Sequence, residues 1–232
     1  GSLLRDDPLL GGVTDIDLFF VHSDPPAQER EIVRITDEIH YDVAHHSRSQ
    51  YRQTRELRLQ AWMGHCINGG KILYDPQHFL DFTQASVRGQ FDRPDHVLAR
   101  SRKLLDHARQ LWLELQTLSP AGAGAVELLK FLRAVELAAN AVAGLSGAPL
   151  TERRFLQQFP MRAAAIKHQG LAAGLLGLLG APLVNGETLR GWLPTWMQAY
   201  RALPAAETPA RLHSYRTLYY QRGIEELLES PH

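Results

Sequence analysis

The sequence has little that would link the chain covalently or give it a strong field of one sign. It contains a single cysteine, Cys66, and its 25 Lys and Arg are balanced by 25 Asp and Glu. One thiol forms neither an internal disulfide nor a cysteine-rich zinc site, which favours a reducing, cytoplasmic location. Because no global charge attracts nucleic acid or a membrane, any binding of phosphate must be local, and nucleic acid is not an expected partner.

Long apolar runs are missing as well. The most apolar stretch, residues 170–184, is rich in glycine and shorter than the about 20 residues that span a bilayer as a helix. The first residues include Arg5, Asp6 and Asp7 rather than the apolar segment of a signal peptide. We therefore expect a soluble protein with no membrane partner, and a buried helix pair over residues 170–184.

The chain length and the distribution of β-like and helical segments indicate two parts. A chain of 232 residues is long enough for one large or two small domains. Residues 1–90 mix short β-like runs with turns, whereas nearly everything from residue 94 onward has helical spacing. The sequence therefore predicts an α+β protein, with a small mixed-sheet domain over residues 1–90 and an all-helical bundle over residues 91–232.

The first part has three runs of β-forming residues. Residues 13–21 form one predicted strand, and residues 32–35 and 39–44 form a predicted hairpin about the turn 36–38. Residues 27–34 are also compatible with a short helix, and that choice stays open. A short strand is predicted over residues 71–74. Helices are predicted over residues 50–66, 78–87, 95–116 and 125–145, after Thr151, from Asn185, and from Thr208 to about Glu229.

Three aspartates form the pattern that indicates chemistry. Asp15 and Asp17 lie one residue apart in the first strand, so alternation places them on the same side. Two adjacent carboxylates repel each other unless a cation lies between them, and a hard divalent ion is the usual solution. Asp42 interrupts the third strand. If that strand pairs with the first, three carboxylates share a surface, which suits two Mg²⁺ ions that bridge a nucleoside triphosphate.

The order of these motifs resembles a known family. Gly1, Ser2 and Arg5 form a Gly-Ser-x-x-Arg start, residues 15–17 read Asp-Ile-Asp, and Asp42 stands alone on a following strand. This order resembles the nucleotidyltransferase superfamily that includes DNA polymerase beta, and especially its small bacterial aminoglycoside-nucleotidyltransferase-like and minimal nucleotidyltransferase members. Residues 68–76 are similar to a segment that follows the catalytic strands there. The resemblance covers about residues 1–80, and the family's first helix and strand are expected to be missing before Gly1.

The resemblance implies a Mg²⁺-dependent nucleotidyltransferase with two metal ions. Such a protein would transfer a nucleoside monophosphate, AMP from ATP, to a hydroxyl of a small molecule or a protein and would release pyrophosphate. Asp15 and Asp17 would bind both metals, and Asp42 would complete the catalytic metal site and help activate the acceptor. Gly1 and Ser2 would hold the triphosphate, with Arg5 in the same nucleotide-binding group.

Other interpretations stay open beside this one. The fold can instead serve as a non-catalytic, antitoxin-like module that binds a partner protein through its helices, and a homodimer is also open. His45 and His46 are interpreted as a polar strand end rather than as ligands of one ion, since adjacent strand residues point to opposite faces. The spaced arginines of residues 48–58 are interpreted as a solvated face, and the aromatics of residues 192–220 as core.

Overall fold

A computed structural model describes residue 4 and residues 9–117, 123–204 and 208–229. The strands are β1 Thr14–His22, β2 Arg30–Arg34 and β3 Ile39–Ser47. The helices are α1 Thr54–Leu57, α2 Ala61–Gly69, α3 Phe79–Arg88, α4 Pro94–Gln116, α5 Ala125–Ala143, α6 Phe155–Ala165, α7 Gly170–Leu178, α8 Gly186–Arg201 and α9 Thr217–Glu229, with short 3-10 turns between some of them.

The predicted fold class is confirmed, because a small mixed sheet is followed by a helical region. The chain divides into two compact units with other limits than residue 90. One unit contains Gly1–Arg52 together with Leu183–His232, and the other contains Gln53–Pro182. The physical reason lies in the first unit, where buried carboxylates on the sheet bind an arginine that directly precedes α9.

The sheet contains the predicted hairpin of the second and third strands, and the first strand pairs with the third, the condition on which the three-carboxylate site depends. Its strand order is β1-β3-β2, with β1 parallel to β3 and β2 antiparallel to β3. The hydroxyl of Thr36 accepts hydrogen bonds from the backbone N–H groups of Glu38 and Ile39 and closes the β2–β3 turn. The alternative of a helix over residues 27–34 is therefore wrong, since β2 occupies that segment.

Several predicted elements differ from the structure. The predicted helix 50–66 is broken into a 3-10 turn, α1 and α2. The predicted strand 71–74 is wrong, because this segment has no regular structure. Leu73 and Tyr74 are largely exposed, so no neighbouring layer packs against them to stabilise a strand.

Two predicted helical regions near the chain end also differ. The last helix starts at Thr217 instead of Thr208, after a 3-10 turn that the ring nitrogen of His213 caps. Residues 170–184 contain one helix, α7, rather than a pair.

The second unit is built around α5. On one side, Leu137 and Ala141 of α5 pack against Leu104 and Ala108 of α4. The other side packs against α6 and α7 through the cluster Val135, Ala139, Ala143, Leu150, Phe159, Ala163 and Leu175. Among the described residues, we find no helix with the length and apolar character needed to cross a bilayer.

Candidate metal centre

Strand pairing in the first unit brings the three predicted carboxylates together. Asp17 of β1 lies directly opposite Asp42 of β3 in the parallel register, and Asp15 lies one alternation earlier on the same face. One oxygen from each of Asp15, Asp17 and Asp42 lies within 4.8 Å of the other two. Alternation along β1 places Asp15 and Asp17 on one face, and the parallel register with β3 adds Asp42 to that face.

The three carboxylates differ in their exposure. Asp42 is 3% exposed and Asp15 is 9% exposed, whereas Asp17 lies on the solvent side. The protein packed around the Asp17 carboxyl, together with the Asp15 carboxylate, raises the pKa of Asp17 to about 6. The cluster is therefore open to solvent at Asp17 and closed at Asp15 and Asp42.

A buried arginine bridges the two inner carboxylates. Nη2 of Arg216 donates to Oδ2 of Asp15 at 2.9 Å, and its Nη1 donates to Oδ2 of Asp42 at 3.0 Å. The guanidinium also lies over the ring of Tyr219, with Cζ 4.6 Å from the ring centroid. His40, fully buried on β3, contacts the same tyrosine ring edge to face. These contacts hold the end of the chain against the sheet.

A second arginine holds Asp42 from the solvent side. Nε of Arg30 donates to Oδ1 of Asp42 and Nη2 donates to Oδ2, both at 2.6 Å. These hydrogen bonds raise the pKa of the Arg30 guanidinium. The pair is a bidentate fork, the strongest geometry between arginine and a carboxylate. Asp42 therefore accepts hydrogen bonds from two guanidinium groups at once.

Neither arginine was among the residues that the sequence marked as functional. A signal for Arg30 was present, because alternation along β2 places Arg30 and Ile32 on one face and Ile32 pairs with Asp42. No local pattern identifies Arg216, which is 174 positions away from Asp42 in the chain. Long-range ion pairs of this kind leave no periodic signature in a single sequence.

The other residues considered for the site have separate places. Gly1, Ser2 and Arg5, the predicted nucleotide-binding group, lie outside the described residues. The two adjacent histidines do point to opposite faces: His45 hydrogen-bonds to His22 and Glu31, and His46 hydrogen-bonds to Tyr51. Their alternation is the reason that they do not converge on one position.

The aromatic residues near the chain end are partly core and partly surface. Tyr200 and Tyr219 are buried, and Trp196 and Tyr220 pack beside them. An open cleft of about 250 Å³ lies in the same unit. Its lining consists of Arg34, Asp37, Arg201, Ser214, Tyr215, Thr217, Leu218 and Gln221. No carboxylate of the Asp15–Asp17–Asp42 cluster lines this cleft.

Comparison with known proteins adds no relative. No family model, no curated protein and no solved structure matches the chain. Support for the fold and for the carboxylate geometry therefore comes from this structure alone. The resemblance to nucleotidyltransferases remains a hypothesis about function.

Proposed function

We propose that the chain is a Mg²⁺-dependent nucleotidyltransferase that moves a nucleoside monophosphate, AMP from ATP, to a hydroxyl of a small molecule or a protein and releases pyrophosphate. One observation supports this most directly: three carboxylates from two parallel strands converge within 4.8 Å. Oxygen ligands of this kind are those that Mg²⁺ prefers.

The donor set fits a divalent cation in chemistry, because carboxylate oxygens are the ligands that Mg²⁺ prefers. Of three oxygens on one Mg²⁺, at most one pair lies on opposite sides, about 4.2 Å apart, and the other pairs are adjacent at about 3.0 Å. The oxygens of Asp15, Asp17 and Asp42 lie within 4.8 Å of one another, so binding of one shared ion would draw them inward by up to about 1.8 Å. The site also already holds positive charge, since Arg30 and Arg216 are bound there.

Each residue then has a role that follows from its place. Asp15, Asp17 and Asp42 would hold the metal ions, which supply charge neutralisation for in-line transfer at the phosphate. Asp17, at the solvent side, is the carboxylate that an arriving nucleotide complex meets first. Asp42 would accept the proton of the acceptor hydroxyl as general base. Arg216 would keep Asp15 and Asp42 at a fixed separation from the protein side.

Nucleotide binding tests this function without knowledge of the acceptor. ATP with Mg²⁺ should raise the melting temperature of the wild-type protein, and the double change Asp15→Asn with Asp17→Asn should abolish the rise. Asp24→Asn is the matched control, because Asp24 is an exposed acid just beyond β1 in the same unit. If no nucleoside triphosphate shifts the wild-type protein with Mg²⁺ or Mn²⁺, the enzyme hypothesis fails.

A second candidate is a partner-binding protein that keeps this fold without catalysis. Two observations favour it. Arg30 and Arg216 neutralise the inner carboxylates without any metal. The first turns of α5 expose Val126, Leu128 and Leu129 by more than half, an apolar face of the type that proteins bind. This candidate predicts no nucleotide-dependent shift and a loss of partner binding when Leu128 or Leu129 is changed to Lys.

A further inference from the structure

The two arginines of the carboxylate cluster are held in opposite ways. The side chain of Arg216 is 5% exposed, and it bridges two carboxylates. The side chain of Arg30 is 48% exposed, and its fork binds Asp42 alone. Because the Arg30 side of its fork is half open to solvent, water and ions reach its guanidinium, whereas the bridge of Arg216 is closed off from water and costly to break. Arg30 is therefore the replaceable cation of the site.

Arg30 also occupies the oxygens that a metal would need. A carboxylate has about four lone-pair positions. On Asp42, Oδ2 accepts from both Arg30 and Arg216, and Oδ1 accepts from Arg30. Departure of Arg30 would free one position on each oxygen, while Arg216 would still hold Oδ2. One position on Oδ1 stays open even with both arginines bound, but a divalent ion that binds both oxygens of Asp42 needs the two positions that Arg30 holds, and such an ion therefore competes with the fork.

The displaced guanidinium would remain beside the site with five N–H donors to satisfy. Its planar fork, which matches a carboxylate here, matches a phosphate equally well. Because β2 fixes the backbone of Arg30 next to β3, the side chain stays within reach of ligands at Asp42. A nucleoside triphosphate bound there with its metal would present negatively charged phosphate oxygens. These oxygens would replace the Asp42 carboxylate as the partner of Arg30.

We propose that Arg30 is a phosphate-binding residue that rests on Asp42 while the site is free of nucleotide: a divalent cation takes its place on Asp42, and its guanidinium then binds the triphosphate. The inference rests on the proposed nucleotidyltransferase function. It assigns Arg30 to substrate binding, a role that neither the motif order nor the resemblance gives it.

The first measurement is binding of Mn²⁺ alone, followed by the electron paramagnetic resonance signal of the free ion. Arg30→Gln should bind Mn²⁺ about tenfold more tightly than wild type, because the competing cation is gone. The matched control is Arg34→Gln, since Arg34 lies on the same strand with similar exposure but pairs with Asp37. Unchanged or weaker Mn²⁺ binding by Arg30→Gln would overturn the exchange.

The second measurement is binding of a non-hydrolysable ATP analogue in the presence of saturating Mn²⁺. Arg30→Gln should now bind the analogue about tenfold more weakly, so that the two affinities change in opposite directions, and Arg30→Lys should recover part of the loss. A merely structural role would weaken both. If wild type binds the ion and the analogue but Arg30→Gln equals it, the inference fails alone. If wild type binds neither, the proposed function fails with it.

Discussion

Replacement of Arg216 by Met gives the sharpest test of how the carboxylate cluster is held. Methionine keeps most of the aliphatic bulk against Tyr219 but removes the guanidinium that bridges Asp15 and Asp42. Both carboxylates are buried, so the change leaves negative charge in the protein with less compensation. We expect a marked loss in the free energy of unfolding.

The size of the loss follows from the partners that remain. Removal of one member of a buried ion pair typically costs about 3–5 kcal/mol. Asp42 still has the fork of Arg30 after the change, whereas Asp15 loses its Arg216 partner, so we expect the lower end, about 3 kcal/mol. For a chain of this size, that corresponds to a fall of about 6–12 °C in melting temperature.

Urea unfolding and thermal melting at neutral pH measure this loss. Arg133→Met is the matched control, because Arg133 pairs with Glu136 on the exposed surface of α5 and should cost less than about 1 kcal/mol. A double-mutant cycle adds specificity: in an Asp15→Asn, Asp42→Asn background, the cost of Arg216→Met should shrink strongly. An Arg216→Met loss no larger than that of Arg133→Met would refute the bridge as a source of stability.

Two further predictions concern the second unit. Burial, with a contribution from Arg100, lowers the pKa of His65 to about 4. His65 thus stays neutral in the folded state. Its contribution to the free energy of unfolding is complete above the ordinary pKa near 6.5 and is lost as pH falls toward 4. Between pH 7 and 4.5, the free energy of unfolding of wild type should fall by about 1–2 kcal/mol more than that of His65→Gln, a value reduced for the partial exposure of His65. Equal falls in urea unfolding of the two proteins would contradict this. The amide of fully buried Asn140 pairs with both the N–H and the C=O of Leu150. Asn140→Leu should cost about 2–4 kcal/mol by urea unfolding, and a cost below about 0.5 kcal/mol would contradict the pairing.

The sheet and its carboxylates could be predicted because their signals are local. Alternation with a period of two places Asp15 and Asp17 on one face, and the polar turn at residues 36–38 fixes a hairpin. One assumption, that the third strand pairs with the first, was then enough to bring Asp42 opposite Asp17. Residues 71–74 have the same β-forming composition but no partner strand in the described structure, which shows how much pairing matters.

Helix boundaries could be predicted only where capping and packing agree. The helical region predicted from Asn185 begins there: α8 starts at Gly186, and the side-chain oxygen of Asn185 accepts from the N–H of Thr188. Thr208 followed by Pro209 has the same appearance in sequence, yet regular helix begins at Thr217, after the His213 ring has capped a 3-10 turn. That turn presents Arg216 to the carboxylates. The helix thus begins next to a local cap at His213 and a long-range ion pair at Arg216, and the second of these has no signal in the neighbouring sequence.

Charge balance connects the arginines with the proposed chemistry. Three carboxylates with two guanidinium groups leave the free site with one net negative charge. Two Mg²⁺ ions and a triphosphate bring nearly equal and opposite charge, so the balance is preserved only if both arginines stay beside the site after binding. Arg216 meets this condition because it is buried under the carboxylates. Arg30 meets this condition only if its guanidinium moves from Asp42 to a phosphate, since a metal ion would take its place on Asp42.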